Sequence, residues 1–129
     1  MKIRTLIVED EVLSRRGVEI RLRNETDFEI VALCANGREA LAAIQQYKPD
    51  LVFLDIQMPG MSGFEVLAHL PQESMPVVVF VTAYDQYAIQ AFEAHAIDYL
   101  LKPIDEARFA TALASLARAP HRARARRNR

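Results

Sequence analysis

Short apolar runs and longer amphipathic stretches alternate five times along these 129 residues, and that alternation limits the possible folds more than any other feature. Lys2–Val8, Phe28–Ala35, Leu51–Leu54, Val77–Val81 and Ile97–Leu101 are strand-sized and rich in Val, Ile and Leu. After Glu9-Asp10-Glu11, the residues Val12, Leu13, Val18, Ile20 and Leu22 are set among arginines in a helical pattern. Asn36 with Glu39, and Ser62 with Glu65, match the cap-plus-Glu signature of a helix N-terminus, and Pro49 and Pro71 end the helices they open. Tyr84–Ala94 reads as a fourth helix, and Asp105 caps a fifth whose inner face is Phe109, Ala112, Leu113 and Leu116. Strands and helices in such alternation form a parallel sheet with helices on both faces. Val77–Val81, apolar throughout, suits a central strand. The expected fold is therefore a doubly wound α/β domain.

Composition narrows the function classes. At 51% hydrophobic and 26% charged, the chain is globular, and its length suffices for one core without staples. A single cysteine, Cys34, excludes a disulfide framework and a cysteine-built zinc site; it reads as a small buried hydrophobe. No apolar run reaches membrane-spanning length, and the first residues do not read as a signal peptide, so the expected compartment is the cytoplasm. The net charge of −1 hides a division: residues 118–129 hold six arginines and no acid, while residues 1–117 carry 10 basic and 17 acidic side chains. The reading is one domain over 1–117 followed by a basic tail.

In open α/β sheets, sites form outside the carboxyl ends of the strands where strand order reverses. Strand one ends in Glu9 and Asp10, strand three in Asp55, strand four in Thr82 and strand five in Lys102. Alone, each has a plain structural reading: turn aspartate, cap threonine, surface lysine. Together they would place three acids, a hydroxyl and an amine in one crevice. Three neighbouring carboxylates repel one another, and a hard divalent cation such as Mg²⁺ relieves that repulsion with oxygen ligands. The set suits in-line attack by a carboxylate on a phosphoryl group, assisted by metal and ammonium charge.

These residues carry a resemblance. Leu6-Ile7-Val8-Glu9-Asp10-Glu11, Leu54-Asp55-Ile56-Gln57-Met58-Pro59-Gly60-Met61-Ser62-Gly63, Val81-Thr82-Ala83 and Asp98-Tyr99-Leu100-Leu101-Lys102-Pro103, in that order and spacing, resemble the receiver domain of two-component response regulators. The resemblance implies a flavodoxin-like five-stranded sheet of order 2-1-3-4-5. It implies that Asp55 accepts a phosphoryl group from a histidine kinase and that Mg²⁺ is held by Asp10, Asp55 and the Gln57 carbonyl. Glu9, where the family often has Asp, would act through a metal-bound water. Thr82 would follow the phosphoryl group inward, Lys102 would pair with it, and Tyr99 would be the aromatic switch turning in behind Thr82. Lys102-Pro103 would be cis.

Phe80–Phe92 together with Asp98–Pro103 more narrowly resembles receivers attached to LytTR-type DNA-binding domains. That implies homodimerisation through the fourth helix, fifth strand and fifth helix on phosphorylation, and control of transcription through an output domain not present in this chain. DNA would be contacted only through that domain, and the arginine-rich tail would be the start of a linker to it. An aspartyl-phosphate phosphatase is the rival enzyme reading. It is disfavoured because such haloacid-dehalogenase-like enzymes place a second acid two residues after the nucleophile, where this chain has Gln57.

Overall fold

A computed structural model describes residues 2–118; the basic tail beyond Arg118 lies outside the described residues. The element order is β1 (Ile3–Val8), α1 (Val12–Arg23), β2 (Phe28–Cys34), α2 (Gly37–Tyr47), β3 (Leu51–Leu54), α3 (Gly63–Ala68), β4 (Val77–Thr82), α4 (Ala88–Glu93), β5 (Asp98–Leu101) and α5 (Glu106–Ala117). The five strands form one parallel sheet in the order β2-β1-β3-β4-β5. The expected fold is therefore the observed one. The chain runs outward from β1 to β2, returns across β1 to β3, and continues to β5. Strand order thus reverses between β1 and β3, the place where a crevice opens at the carboxyl ends.

Side chains alternate across the sheet, so each central strand feeds two cores. Leu51, Phe53, Val77, Val79 and Val81 pack against Val18 and Leu22 of α1 and Phe109, Ala112 and Leu113 of α5. Phe53 and Phe109 stack with ring centres 5.8 Å apart. On the other face, Val52, Leu54, Val78 and Phe80 meet Ala40, Ala43 and Ile44 of α2, Val66 and Leu67 of α3, and Ala91 of α4. Every residue of β3 and β4 is buried, as a strand covered on both sides requires.

Several boundaries differ from the sequence reading. The Ser62–Glu65 capping box forms, but α3 stops at Ala68, two residues short of Leu70, and a short 3-10 turn over Gln72–Ser74 leads into β4. The fourth helix is six residues long, not eleven, with Tyr87 at its N-cap and Ala91 as its single fully buried side chain. Asn36 caps α2 by accepting from the Glu39 N–H at 2.9 Å, while Glu39 reaches back to the N–H of Ala35 rather than of Asn36. Glu11 is the N-cap of α1; its carboxylate caps no backbone N–H there and instead accepts from the Ser14 hydroxyl at 3.3 Å. Val12, Leu13 and Ile20 are exposed, at 64%, 84% and 52%, so α1 buries only Val18 and Leu22. Arginine 21 fastens α1 to α5 instead, its guanidinium forked onto both Glu106 oxygens.

Candidate functional site

Strand register brings the expected residues to one end of the sheet. Val8 of β1, Leu54 of β3 and Phe80 of β4 lie at one level, and Thr82 pairs with Leu101 of β5. The residues that follow these positions therefore emerge together. Two backbone bonds fix them: the Asp55 N–H donates to the Val8 carbonyl at 3.0 Å, and the Lys102 N–H donates to the Thr82 carbonyl at 2.8 Å. Glu9 is held from β2 as well, its N–H donating to the Cys34 carbonyl at 2.9 Å.

Glu9, Asp10 and Asp55 each offer a carboxylate oxygen within 4.8 Å of the others. Glu9 and Asp55 are buried, and Asp10 is half-buried. The Asp55 Oδ1 accepts from the N–H of Ile56 at 2.7 Å. Lys102 Nζ donates to Glu9 Oε1 at 2.6 Å and lies 3.5 Å from Asp55 Oδ2. The ammonium is thus drawn first to Glu9, the longer acid reaching across the crevice, and only second to Asp55. The other Glu9 oxygen accepts from the Glu11 N–H at 3.0 Å.

Burial pushes the Glu9 carboxyl up to about 7, and the negative charge of Asp55 adds to the shift; the Lys102 and Glu11 hydrogen bonds oppose it. Burial alone would lower Lys102, but its bond to Glu9 and the charges of Asp55 and Glu9 outweigh that and raise it. The site is thus short of positive charge even with its lysine in place. An all-oxygen cluster whose most buried member resists ionisation fits a hard divalent cation such as Mg²⁺.

Thr82 is fully buried at the end of β4. Its hydroxyl oxygen accepts weakly from the Tyr84 N–H at 3.4 Å. Tyr99 is half-buried on β5, and its hydroxyl donates to the Tyr84 carbonyl, so the loop after β4 is gripped from both sides. Ala83 is exposed, which leaves that loop unobstructed. Lys102-Pro103 is cis. Glu9, Asp10, Asp55, Gln57 and Lys102 therefore lie on the loops that follow β1, β3 and β5, Thr82 is the last residue of β4, and Tyr99 lies within β5.

Three contributors were not legible in the sequence. Gly63 at the start of α3 lies so close to the Asp55 loop that a Cβ there would stand 2.4 Å from the Asp55 carbonyl oxygen. Arg15 of α1 donates to the Glu9 carbonyl at 2.8 Å. Tyr87 accepts from the Gln57 side-chain amide at 2.6 Å. A capping box marked the place of Gly63, but no pattern marks the other two: Arg15 reaches a backbone carbonyl six residues back, and Tyr87 meets a side chain thirty residues away.

Comparison with known proteins agrees with this geometry. A family model described as response regulator receiver domain matches residues 5–114. An uncharacterised response regulatory protein of Yersinia pestis is 55% identical over 116 residues, covering 90% of this chain and 49% of the relative. The transcriptional regulatory protein BtsR of Escherichia coli K12 is 52% identical over 114 residues, covering 88% and 48%. The chain thus spans about half the length of these curated relatives. Among solved structures, the response regulatory domain of mrkE from Klebsiella pneumoniae superposes with a TM-score of 0.83 at 33% identity, covering 92% of this chain and 98% of that one. The REC domain of AraT from Geobacillus stearothermophilus gives 0.84 at 31% identity, covering 95% and 98%.

Proposed function

This chain belongs to the response regulator receiver domain family, and from that premise we propose that Asp55 is its phosphoacceptor. The observation that carries the reading is the gathering of Glu9, Asp10, Asp55 and Lys102 at the switch point of the sheet. An Asp55 carboxylate oxygen attacks phosphorus in a kinase phosphohistidine. The phosphorus–nitrogen bond breaks, and its electron pair returns to the imidazole.

Asp10, Asp55 and the Gln57 backbone carbonyl would hold Mg²⁺, with Glu9 acting through a bound water. When bound, the ion neutralises charge on the phosphoryl oxygens. Lys102, poised 3.5 Å from Asp55 Oδ2, supplies a second positive charge to the product. Thr82 bonds a phosphoryl oxygen, and Tyr99 follows it inward. Those movements shift the population of the surface formed by α4, β5 and α5.

That surface exposes Ile89, Phe92, Ile97 and Leu101, a patch suited to a second copy of the domain. The receiver thereby controls transcription through an output domain of LytTR type, reached by a linker beginning near Arg118. No helix among the described residues is long and apolar enough to cross a membrane.

The test is the intact mass of the chain after incubation with acetyl phosphate and Mg²⁺, or with a phosphorylated histidine kinase, beside Asp55→Asn. One phosphoryl group is gained by the wild type, none by the variant and none without Mg²⁺. Failure of both donors to label the wild type refutes the reading. Size exclusion of the labelled protein then shows the dimer.

A further inference from the structure

Glu9 and Asp10 follow β1 side by side, but they are held in different ways. The Glu9 N–H donates to the Cys34 carbonyl at 2.9 Å, and the Glu9 carbonyl accepts from Arg15 Nη1 at 2.8 Å. Its carboxylate accepts from Lys102 Nζ at 2.6 Å and from the Glu11 N–H at 3.0 Å. The half-buried Asp10 carboxylate takes no hydrogen bond or ion pair from any described residue. Its direction is set by its backbone, and first by the Glu9–Asp10 peptide. A peptide turns as a rigid plane, so a grip on its oxygen also fixes where the next Cα–Cβ bond starts. Arg15 has that grip. It is half-buried in the first turn of α1, and its own N–H donates to the Glu11 carbonyl at 2.9 Å, so the guanidinium reaches back from a fixed point.

We propose that Arg15 is a positioning residue for the metal seat: through the Glu9 carbonyl it sets the peptide from which Asp10 projects, and so strengthens the hold of Asp10 and Asp55 on Mg²⁺. The inference rests on the reading of these acids as the metal ligands of the phosphoacceptor site. A ligand that is oriented before the ion arrives loses less freedom when it binds, and groups that orient ligands contribute to metal affinity without touching the ion. Arg15 acts through the backbone of Glu9 and is assigned no contact with the phosphoryl group. An arginine acting by charge alone would do the reverse. A cation beside the seat repels a second cation, so its removal would tighten Mg²⁺ binding. One substitution therefore separates the two roles by sign.

The experiment is calorimetric titration of Mg²⁺ into the whole chain for wild type, Arg15→Met and Arg15→Lys. Methionine keeps a long unbranched side chain but has neither donor nor charge, whereas lysine keeps both. Arg15→Met should bind Mg²⁺ about threefold to tenfold more weakly, the range set by one hydrogen bond. Arg15→Lys should return to within about twofold of wild type. With acetyl phosphate as donor, the Mg²⁺ concentration for half-maximal labelling of Arg15→Met should rise by the same factor, while the labelling rate at saturating Mg²⁺ stays within about twofold of wild type. If Arg15→Met shows no thermal transition in EDTA, Arg15→Gln takes its place, with weaker binding again expected. Unchanged or tighter binding in the uncharged variant overturns the proposal. So does an Arg15→Lys as weak as Arg15→Met, which would make the effect one of lost packing, or a slower rate at saturating Mg²⁺ with the half-maximal concentration unmoved. A wild type that takes up no Mg²⁺ defeats the metal reading itself, whereas one whose affinity ignores Arg15 defeats this inference alone.

Discussion

Gly63→Ala should be costly although it replaces glycine with a better helix former. The added Cβ would stand 2.4 Å from the Asp55 carbonyl oxygen, 3.2 Å from the Ile56 Cα and 3.2 Å from the Leu54 Cγ. The first two are backbone, so no side-chain rotation relieves the contact. Either α3 or the acceptor loop must retreat by something on the order of 1 Å, against the Gly63 N–H bond to the Ile56 carbonyl at 2.8 Å. Overpacking of this kind costs about 1–3 kcal/mol, and helix propensity at the first turn returns less than about 1 kcal/mol. A net loss of about 2 kcal/mol corresponds to a fall in melting temperature of roughly 5–15 °C for a domain of this size. Urea and thermal unfolding measure it, with two internal comparisons. Gly60 has φ +85° and open space around its missing Cβ, so Gly60→Ala should lose about 1 kcal/mol from conformation alone. At Gly17 the nearest atom is Arg21 Nη1 at 3.1 Å, a side-chain end held by the Gly17 carbonyl and Glu106. Alanine there must shift it by a few tenths of an ångström against a helix-propensity gain of up to about 1 kcal/mol, and should fall within about 1 kcal/mol of neutral. If Gly63→Ala proves no worse than Gly17→Ala, the close approach of α3 to the acceptor loop is wrong.

The Glu9 carboxyl titrates higher in the folded chain than its ordinary 4.5, so the native state binds more protons than the unfolded state between there and about 7. Its contribution is complete below 4.5 and is lost as pH rises to about 7, at most about 3 kcal/mol. Lys102 stays protonated in both states across this window and adds no slope. In EDTA, urea stability of Glu9→Gln minus that of wild type should therefore rise between pH 4.5 and 7, and a flat difference would contradict the burial of an acid there. The Arg21–Glu106 ion pair joins α1 to α5, but Glu106 is 73% exposed, so a double-mutant cycle should return under about 1 kcal/mol and shrink in salt; a value above about 2 would contradict that exposure. Burial raises the Cys34 thiol to about 11, with the Glu39 charge adding and Arg15 opposing, so native alkylation at pH 8 should be far slower than in urea. Equal rates would place the thiol at the surface.

The strands of the fold were legible because a parallel sheet buried on both faces leaves uninterrupted apolar runs, as in Val77–Val81. The site was legible because each strand end carries a distinct chemical group and the topology forces those ends together. Helix extents were less legible. Val12, Leu13 and Ile20 share the helical apolar pattern with Val18 and Leu22, yet α1 settles with only the last two inside and leaves the other three on the surface. The stretch from Tyr84 has helical spacing, but Tyr84 is engaged by Thr82 and Tyr99 through its backbone, and the helix begins only at Ala88. Lys102 was expected to pair with a phosphoryl group on Asp55. It lies nearer Glu9, since one carbon more than aspartate extends that acid to meet the ammonium. Contacts such as Gln57 to Tyr87 join residues 30 positions apart and leave no local trace.

Under the proposed phosphorylation switch, the slight anchorage of α4 would set how sharply the domain can distinguish rest from activation. The helix has one fully buried side chain, the methyl group of Ala91, with Tyr87 half-buried at its start. Lifting it exposes little apolar surface, and burial of one methyl is worth about 0.8 kcal/mol. One charge-assisted hydrogen bond formed elsewhere is worth about 1.5–3 kcal/mol, enough to tip such an element by itself. A threshold that low has a second face. An equilibrium separated by only one or two kcal/mol would keep about 3–15% of the molecules in the displaced form with no stimulus at all. In such a switch, responsiveness and silence would be traded against each other largely at Ala91 and the Tyr87 ring, and a larger apolar residue in place of Ala91 would quieten the resting state only by demanding more from the input.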